Sequence, residues 1–309
     1  MISNQNNYIL ADNSVLRKKE ILEAKDKIRL IDGVPVFTLV EFNIFGACNR
    51  SCIFCPVSDP VFYKKRYIGI SIDLYRKTMM DLQQIDYTGT ILFSAFCEPF
   101  MSKELPTLVA LTKDFLPVSH LEIVSNGDII KRNPSKLMEL FHRGLDTICI
   151  SVYDGPRALQ EFEELRIRLN LSADQVIIKR RYYEETSGDY GMIISNRTNL
   201  VFAQRYQAVY ENKVEQLPLN RKCFYPFYQT LIDLNGDMIL CPHDWGKKYV
   251  VGNLKDTSIW HLWKCDKYQK ARKLLSAKNR KFIPCRTCDV YGDIIGKENY
   301  DAWRSCCGL

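Results

Sequence analysis

Short apolar runs of strand length alternate with amphipathic stretches of helical period over much of the chain. Residues 35–44, 90–96, 120–125, 147–153 and 175–182 read as strands. Residues 71–82, 105–115, 135–143 and 157–169 read as helices. Ser71 caps the first of these helices, and Gly144 closes the third. Strand–helix alternation implies parallel strands joined by crossover helices. Roughly six such units fit between residues 35 and 215, too few for an eightfold barrel. The pattern therefore predicts an α/β chain with an open, partial (β/α)6 TIM-like barrel, its chemistry at the C-terminal ends of the strands. A polar leader of residues 1–34, with a helix over 14–29, precedes it.

The pattern changes at about residue 216. Two apolar runs, 229–233 and 238–240, flank Leu234-Asn235-Gly236-Asp237. Asn-Gly between apolar runs signals a hairpin whose two turn residues both take positive φ. A helical stretch over 258–275 follows. Residues 216–309 thus form a second, small, hairpin-bearing domain rich in cysteine.

Composition narrows the class. Of 309 residues 46% are hydrophobic and 26% charged, the profile of an ordinary globular protein. No apolar run approaches the ~20 residues of a membrane span. The polar N-terminus lacks a signal-peptide core, so the expected location is the cytoplasm, with no membrane partner. Twelve cysteines in such a chain favour metal or redox roles over disulfides. The net charge of +7 concentrates in Lys179-Arg180-Arg181 and in Lys278, Arg280 and Lys281. A solvated basic face is the plain reading, and an acidic small ligand, such as a phosphorylated or nucleotide-linked sugar, is the sharper one. Basic and aromatic residues do not interleave as nucleic-acid binding requires.

The cysteines carry the chemistry. Cys48, Cys52 and Cys55 follow the first strand at spacing C-x3-C-x2-C. Three thiolates can hold three irons of a cubic [4Fe–4S] cluster and leave the fourth open to a small molecule. Structural zinc usually takes C-x2-C pairs and four ligands, and fits this triad poorly. Further along, Cys97-Glu98-Pro99, Asn126-Gly127-Asp128 and Tyr153-Asp154-Gly155 each close a strand. Cys223, Cys241, Cys285 and Cys288 form a second set, which by spacing alone serves either zinc or a closed [4Fe–4S] cluster. A small hairpin domain with four cysteines is more often a zinc ribbon.

Over residues 36 to about 200 these motifs resemble the radical S-adenosylmethionine (SAM) superfamily. The resemblance implies that Cys48, Cys52 and Cys55 hold the SAM-binding cluster and that Phe54 packs near the SAM adenine. Glu98 matches the acidic residue that meets the SAM amino group, in a strand-two motif that here keeps Glu-Pro but loses its glycines. Ser125 and Asn126 match residues near the ribose, and Ser151 one near the carboxylate. Arg180 or Arg181 is expected to bind that carboxylate or the substrate. The pattern C-x12-G-x4-C, with the later C-x2-C, resembles the SPASM/Twitch extension. The shorter Twitch form implies one auxiliary [4Fe–4S] cluster on Cys223, Cys241, Cys285 and Cys288. Ile294 stands where the longer form has a further cysteine, and Cys306 and Cys307 are left over.

The resemblance implies reductive cleavage of SAM to a 5′-deoxyadenosyl radical, which takes hydrogen from a small-molecule substrate. A closed auxiliary cluster suits acceptance of a second electron. The expected reaction is two-electron oxidation of a hydroxyl-bearing carbon on a sugar, cyclitol or nucleotide sugar, with Arg180, Arg181 or Tyr153 beside the proton that leaves. Redox-neutral epimerisation is the variant; it needs a thiol hydrogen donor, for which Cys149 and Cys97 are candidates. Maturation of a ribosomal peptide is a further alternative, disfavoured by the short stretch before the first strand. An electron donor such as flavodoxin or ferredoxin is the implied protein partner.

Overall fold

The computed structural model describes residues 17–19, 28–192, 194–198, 200 and 216–308. Most of the helix expected over 14–29 lies outside them, although residues 17–19 are helical. Its centre is one eight-stranded sheet in the order β10-β9-β8-β3-β4-β5-β6-β7. A small hairpin, β1 (Leu30–Ile31) with β2 (Val34–Pro35), stands apart. Strands β3 (Leu39–Phe42), β4 (Thr90–Phe93), β5 (His120–Ser125), β6 (Thr147–Val152) and β7 (Val176–Arg180) pair in parallel, in chain order.

The helices between them cover the sheet. Helix α1 (Ile72–Gln84) is capped by the Ser71 hydroxyl, which accepts from the Leu74 amide. It buries Leu74, Tyr75, Thr78, Met79 and Leu82, the spacing of one helical face. Helix α2 (Leu105–Phe115) packs beside it, with Tyr75 and Thr112 sharing a hydrogen bond of 2.7 Å. Helices α3 (Asp128–Arg132) and α4 (Ser135–His142) follow β5, and α5 (Pro156–Arg168) follows β6. Fully buried Val40, Phe42, Ile91, Phe93, Ile123 and Ile148 form the sheet's side of the core. Truncating one such side chain typically costs about 2–5 kcal/mol.

The described residues hold six parallel strands, but the sixth does not lie beside β7 in the sheet. It is β8 (Gln229–Ile232), which pairs in parallel with β3. β9 (Asp237–Ile239) and β10 (Val250–Asn253) extend the sheet antiparallel beyond it. The hairpin of the second region is thus continuous with the barrel sheet. Its turn differs from the expected one: Gly236 takes φ +93°, while Asn235 is not among the positive-φ residues. The Gly236 amide donates to Asp233, and the Asp233 amide to Asp237, a four-residue turn closed by a glycine in the left-handed region.

After one turn of helix at α6 (Tyr225–Tyr228), the stretch expected as one helix over 258–275 divides into α7 (Ile259–Lys264) and α8 (Asp266–Ser276). Cys265 between them is extended, at φ −63° and ψ 155°. Arg272 on α8 is buried among Trp263, Tyr268 and Trp303, about 4 Å from each ring. Trp303 belongs to α9 (Lys297–Cys307), which carries Cys306 and Cys307. Among the described residues no helix is long and apolar enough to cross a membrane.

Candidate functional site

The first cysteine loop leaves the C-terminal end of β3. Backbone bonds set its shape: the Cys55 amide donates to Cys52, and the Ser58 hydroxyl donates to both of their carbonyls. The Arg50 amide donates to the Cys48 sulfur at 3.4 Å, and the Asn126 side-chain amide reaches the same sulfur at 3.8 Å. Burial pushes the Cys52 thiol up to about 12 and the Cys55 thiol up to about 11. In each case the neighbouring thiols of the triad push the same way. Desolvated sulfurs whose charges raise one another are what a cationic cluster relieves.

Arg50, between the first two cysteines, clamps this loop to the strand ends. Its Nε donates to Asp128 at 2.8 Å and its Nη1 to Asp154 at 2.9 Å. Its guanidinium also lies 5.3 Å from the Tyr153 ring centre. Asn49 adds a hydrogen bond of 2.7 Å to Asp128. Asp128 follows β5 and Asp154 follows β6, so one arginine joins three strand ends.

Glu98 is 2% exposed, in the turn after β4. Its carboxylate accepts from the Ser125 hydroxyl at 2.8 Å, the Asn126 amide at 2.8 Å and the Phe100 amide at 3.1 Å. Burial raises its pKa to about 7, against those hydrogen bonds. A carboxylate offers about four acceptor positions, so one remains for a further donor. Ala95, three residues earlier, holds φ +71°. Ala95 precedes the two lost glycine positions, Phe96 and Cys97, and neither of these is among the positive-φ residues.

A cleft opens beside Cys52, lined by Arg50, Phe54, Tyr153, Arg181, Tyr182 and Tyr190 among others. The Phe54 and Tyr153 rings lie 5.7 Å apart. Ser151, one turn of strand below Tyr153, is buried. The Lys179-Arg180-Arg181 run is not one basic face, because successive strand residues point to opposite sides. Lys179 acts electrostatically on Glu122 and Cys149 within the sheet's inner layer. Arg180 is held by the carboxylates of Asp189 and Glu184 and by carbonyls of its own loop. Arg181 lines the cleft. Cys149 lies deeper than Ser151, where its thiol donates to Glu122 at 2.8 Å; it does not line the cleft. Glu122 in turn pairs with Arg17 at 2.6 Å. Cys97 is turned toward the Ser94 carbonyl, at 3.6 Å.

The second set shares a pocket of its own. Cys223, Cys241, Cys285 and Cys288 line one enclosed pocket. Among the described residues no three His, Cys, Asp or Glu close around a single ion; the four sulfurs border a space instead. Burial raises all four thiols, Cys288 to about 12. Gly292 passes so close to the Cys223 sulfur that a Cβ there would collide with it. The pocket also holds His243, not singled out in the sequence, and Arg280, noted there only as part of a basic cluster. His243 stacks edge-on against Tyr225 at 4.8 Å, and burial lowers its pKa to about 3, so the imidazole is neutral. Arg280 is 2% exposed, and its three hydrogen bonds go to the carbonyls of Arg221, Val290 and Lys222. No carboxylate pairs with it among the described residues. A buried guanidinium of this kind calls for an anion, and the four thiolates are at hand.

Residues 194–198 span the two cysteine sites. Ile194 packs with Phe54, Cys52 and Cys55. The Asn196 amide donates to the Asp289 carboxylate, and its side chain to the Thr287 carbonyl, both beside the Cys285–Cys288 pair.

The SPASM family model, an iron–sulfur cluster-binding domain, matches residues 223–289. The chain is 25% identical over 267 residues to the S-adenosyl-L-methionine-dependent 2-deoxy-scyllo-inosamine dehydrogenase of Niallia circulans. That alignment covers 86% of this chain and 98% of the relative. The chain is thus similar to a SAM-dependent dehydrogenase over most of its length, and residues 223–289 match the SPASM-type cluster-binding domain. Its fold is shared with BtrN, whose crystal structure in complex with AdoMet and 2-DOIA matches at TM-score 0.68 and 24% identity. That match covers 86% of this chain and 98% of BtrN. BtrN in an open conformation matches at TM-score 0.61 and 22% identity. The chain departs from the longer SPASM pattern at Ile294, which packs partly buried against the core. Cys306 and Cys307 sit on α9, and neither lines the four-cysteine pocket.

Proposed function

We propose that this chain is a radical SAM dehydrogenase that removes two electrons from a hydroxyl-bearing carbon of a cyclitol or related sugar. One observation carries the reading: an open three-thiol loop beside an aromatic cleft, and an enclosed pocket bordered by four thiols. The dehydrogenase relative supports it. In this reading residues 35–215 form the barrel unit and 216–309 the auxiliary unit. Cys48, Cys52 and Cys55 hold a SAM-binding [4Fe–4S] cluster, and Cys223, Cys241, Cys285 and Cys288 an auxiliary one. Bound SAM supplies a hydrogen-atom acceptor strong enough for an unactivated C–H bond, and the auxiliary cluster a sink for the remaining electron.

The chain's own residues do the positioning. Arg50 fixes the cysteine loop against Asp128 and Asp154. Glu98 holds Ser125 and Asn126 in place and keeps one acceptor position for the SAM ammonium. Phe54 borders the adenine, and Ser151 the carboxylate end. Tyr153, Tyr182 and Tyr190 exclude water from the reacting carbon. Arg181 and Tyr153 face the substrate; Arg181 orients the hydroxyl oxygen, whose proton leaves to water at the open side of the cleft. Arg180, bound to Asp189, braces the loop that carries Tyr182 and Tyr190. Cys149, hydrogen-bonded to Glu122, stays away from the substrate carbon.

The test is anaerobic turnover of 2-deoxy-scyllo-inosamine with SAM and dithionite in D2O. One 5′-deoxyadenosine per ketone, and no solvent deuterium at the reacting carbon, is the expected outcome. A product with one deuterium and no change of oxidation state would replace oxidation by epimerisation.

A further inference from the structure

The loop between the first cysteines and α1 has two unlike faces. Its inner face is tied to the cysteine loop. Lys65 donates to the Cys48 carbonyl at 3.0 Å, and Tyr63 packs in a cluster that includes Cys48, Cys55 and Phe96. The Arg66 amide donates to Gly46, and the Gly46 amide to Ile68, which anchors the return of the loop next to Cys48. The outer face is apolar and unusually exposed. Val61 is 83% exposed, Phe62 51%, Tyr67 70% and Ile68 51%. Ile53, within the cysteine loop itself, is exposed as well. Lys64 and Arg66 are exposed among these residues, while Asp59, the one acidic residue between 59 and 68, turns its carboxylate to the Val61 amide. Large exposed side chains concentrated in one segment mark an interaction surface rather than ordinary surface scatter.

We propose that residues 59–68 form the docking surface for an acidic, one-electron carrier protein that reduces the cluster on Cys48, Cys52 and Cys55. This rests on the proposed function, which needs an electron delivered at that cluster. An apolar centre with a cationic rim suits a brief encounter: the charge steers an anionic partner in, and the small apolar contact lets it leave. With a flavodoxin the balance is simple. The flavin passes from hydroquinone to semiquinone, and its single electron enters the oxidised cluster. Lys65 and Tyr63, spanning from the outer face to the Cys48 backbone, make the contact point and the cysteine loop one body.

Binding of oxidised flavodoxin to the cluster-loaded protein, titrated at several salt concentrations, tests this directly. The double variant Lys64→Glu/Arg66→Glu should weaken binding at least about tenfold at low salt and flatten its salt dependence, as loss of two steering charges requires. Val61→Ser/Phe62→Ser should weaken binding while leaving the salt dependence in place. Both variants should cleave SAM with dithionite at the wild-type rate and slow only when reduced flavodoxin is the donor. Unchanged flavodoxin affinity in both variants would overturn the proposal. So would a wild-type dimer, seen by sedimentation, that these substitutions dissociate, since the occupant is then a second copy of this chain. The two readings fail separately: absence of dithionite-driven SAM cleavage in the wild type counts against the proposed reaction, whereas the binding titration decides the docking surface.

Discussion

The two cysteine sites solve opposite problems with the same side chain. Cys48, Cys52 and Cys55 stand on a loop whose neighbours are charged, hydrogen-bonded and open to a cleft. Cys223, Cys241, Cys285 and Cys288 border an enclosed pocket whose charged neighbour is Arg280, held by three carbonyls. The first site must admit a ligand and be held in register with it, so its loop is clamped from outside by ion pairs. The second borders a narrower pocket and carries a fixed counter-charge, the buried Arg280. The thiol count follows the same contrast: three beside the wider cleft, four around the narrower pocket.

The largest expected break in this contrast comes from the first site. Cys52→Ala should reduce SAM cleavage to background, as read by 5′-deoxyadenosine formation. Cleavage at the wild-type rate would remove the first-cluster assignment. Cys288→Ala should instead keep SAM cleavage and lose the oxidised product. The reconstituted wild type should hold about eight irons, as two cubic clusters need, and this variant should lose iron from the second site alone. Stoichiometric zinc in the wild type would reverse the reading of the second pocket.

Arg50→Gln sharpens the comparison, because it removes the clamp and leaves the cysteines. Loss of charge-assisted hydrogen bonds of about 1.5–3 kcal/mol should slow SAM cleavage roughly ten- to a hundredfold. The second cluster should be untouched, which its separate spectroscopic signature can report. Arg280→Met acts on the other side. It should lower the midpoint potential of the second cluster in a redox titration, with the iron content of the first site unchanged. An identical potential would mean that the guanidinium serves the backbone carbonyls only.

The smallest effect concerns pH. Burial lifts the Glu98 pKa to about 7, so a fraction of this carboxyl is protonated near neutrality. A SAM ammonium favours the ionised form and releases that proton on binding. SAM affinity should therefore rise with pH, by up to about tenfold per unit, and level off above about 7. In Glu98→Gln the rise should disappear.

Local features were legible in the sequence, and long-range ones were not. Helix α2 matches its expected bounds, and Ser71 caps α1, because periodicity and capping act within a few residues. The cysteine sets were legible because thiols at fixed spacing have few other uses. The partner of β8 was not legible: an apolar strand carries no address, and its pairing with β3 joins residues nearly two hundred positions apart. Arg50 was visible only as a charge between cysteines, since Asp128 and Asp154 meet it through folding alone. Arg280, inside a basic run, looked solvated, yet it is buried against the four-thiol pocket. The three cations of 179–181 looked alike, and strand alternation sends them to different tasks.

The pairing of β8 with β3 has a consequence for electron traffic. One strand runs toward Cys48, and the other lies between Cys223 and Cys241, so a hydrogen-bonded ladder ties together the supports of both sites. Tunnelling rates fall steeply with separation, and a flexible linker would let that separation wander. Here the gap between the two cysteine sites is set by sheet geometry, so in the proposed reaction the path for the second electron is laid down before a substrate arrives.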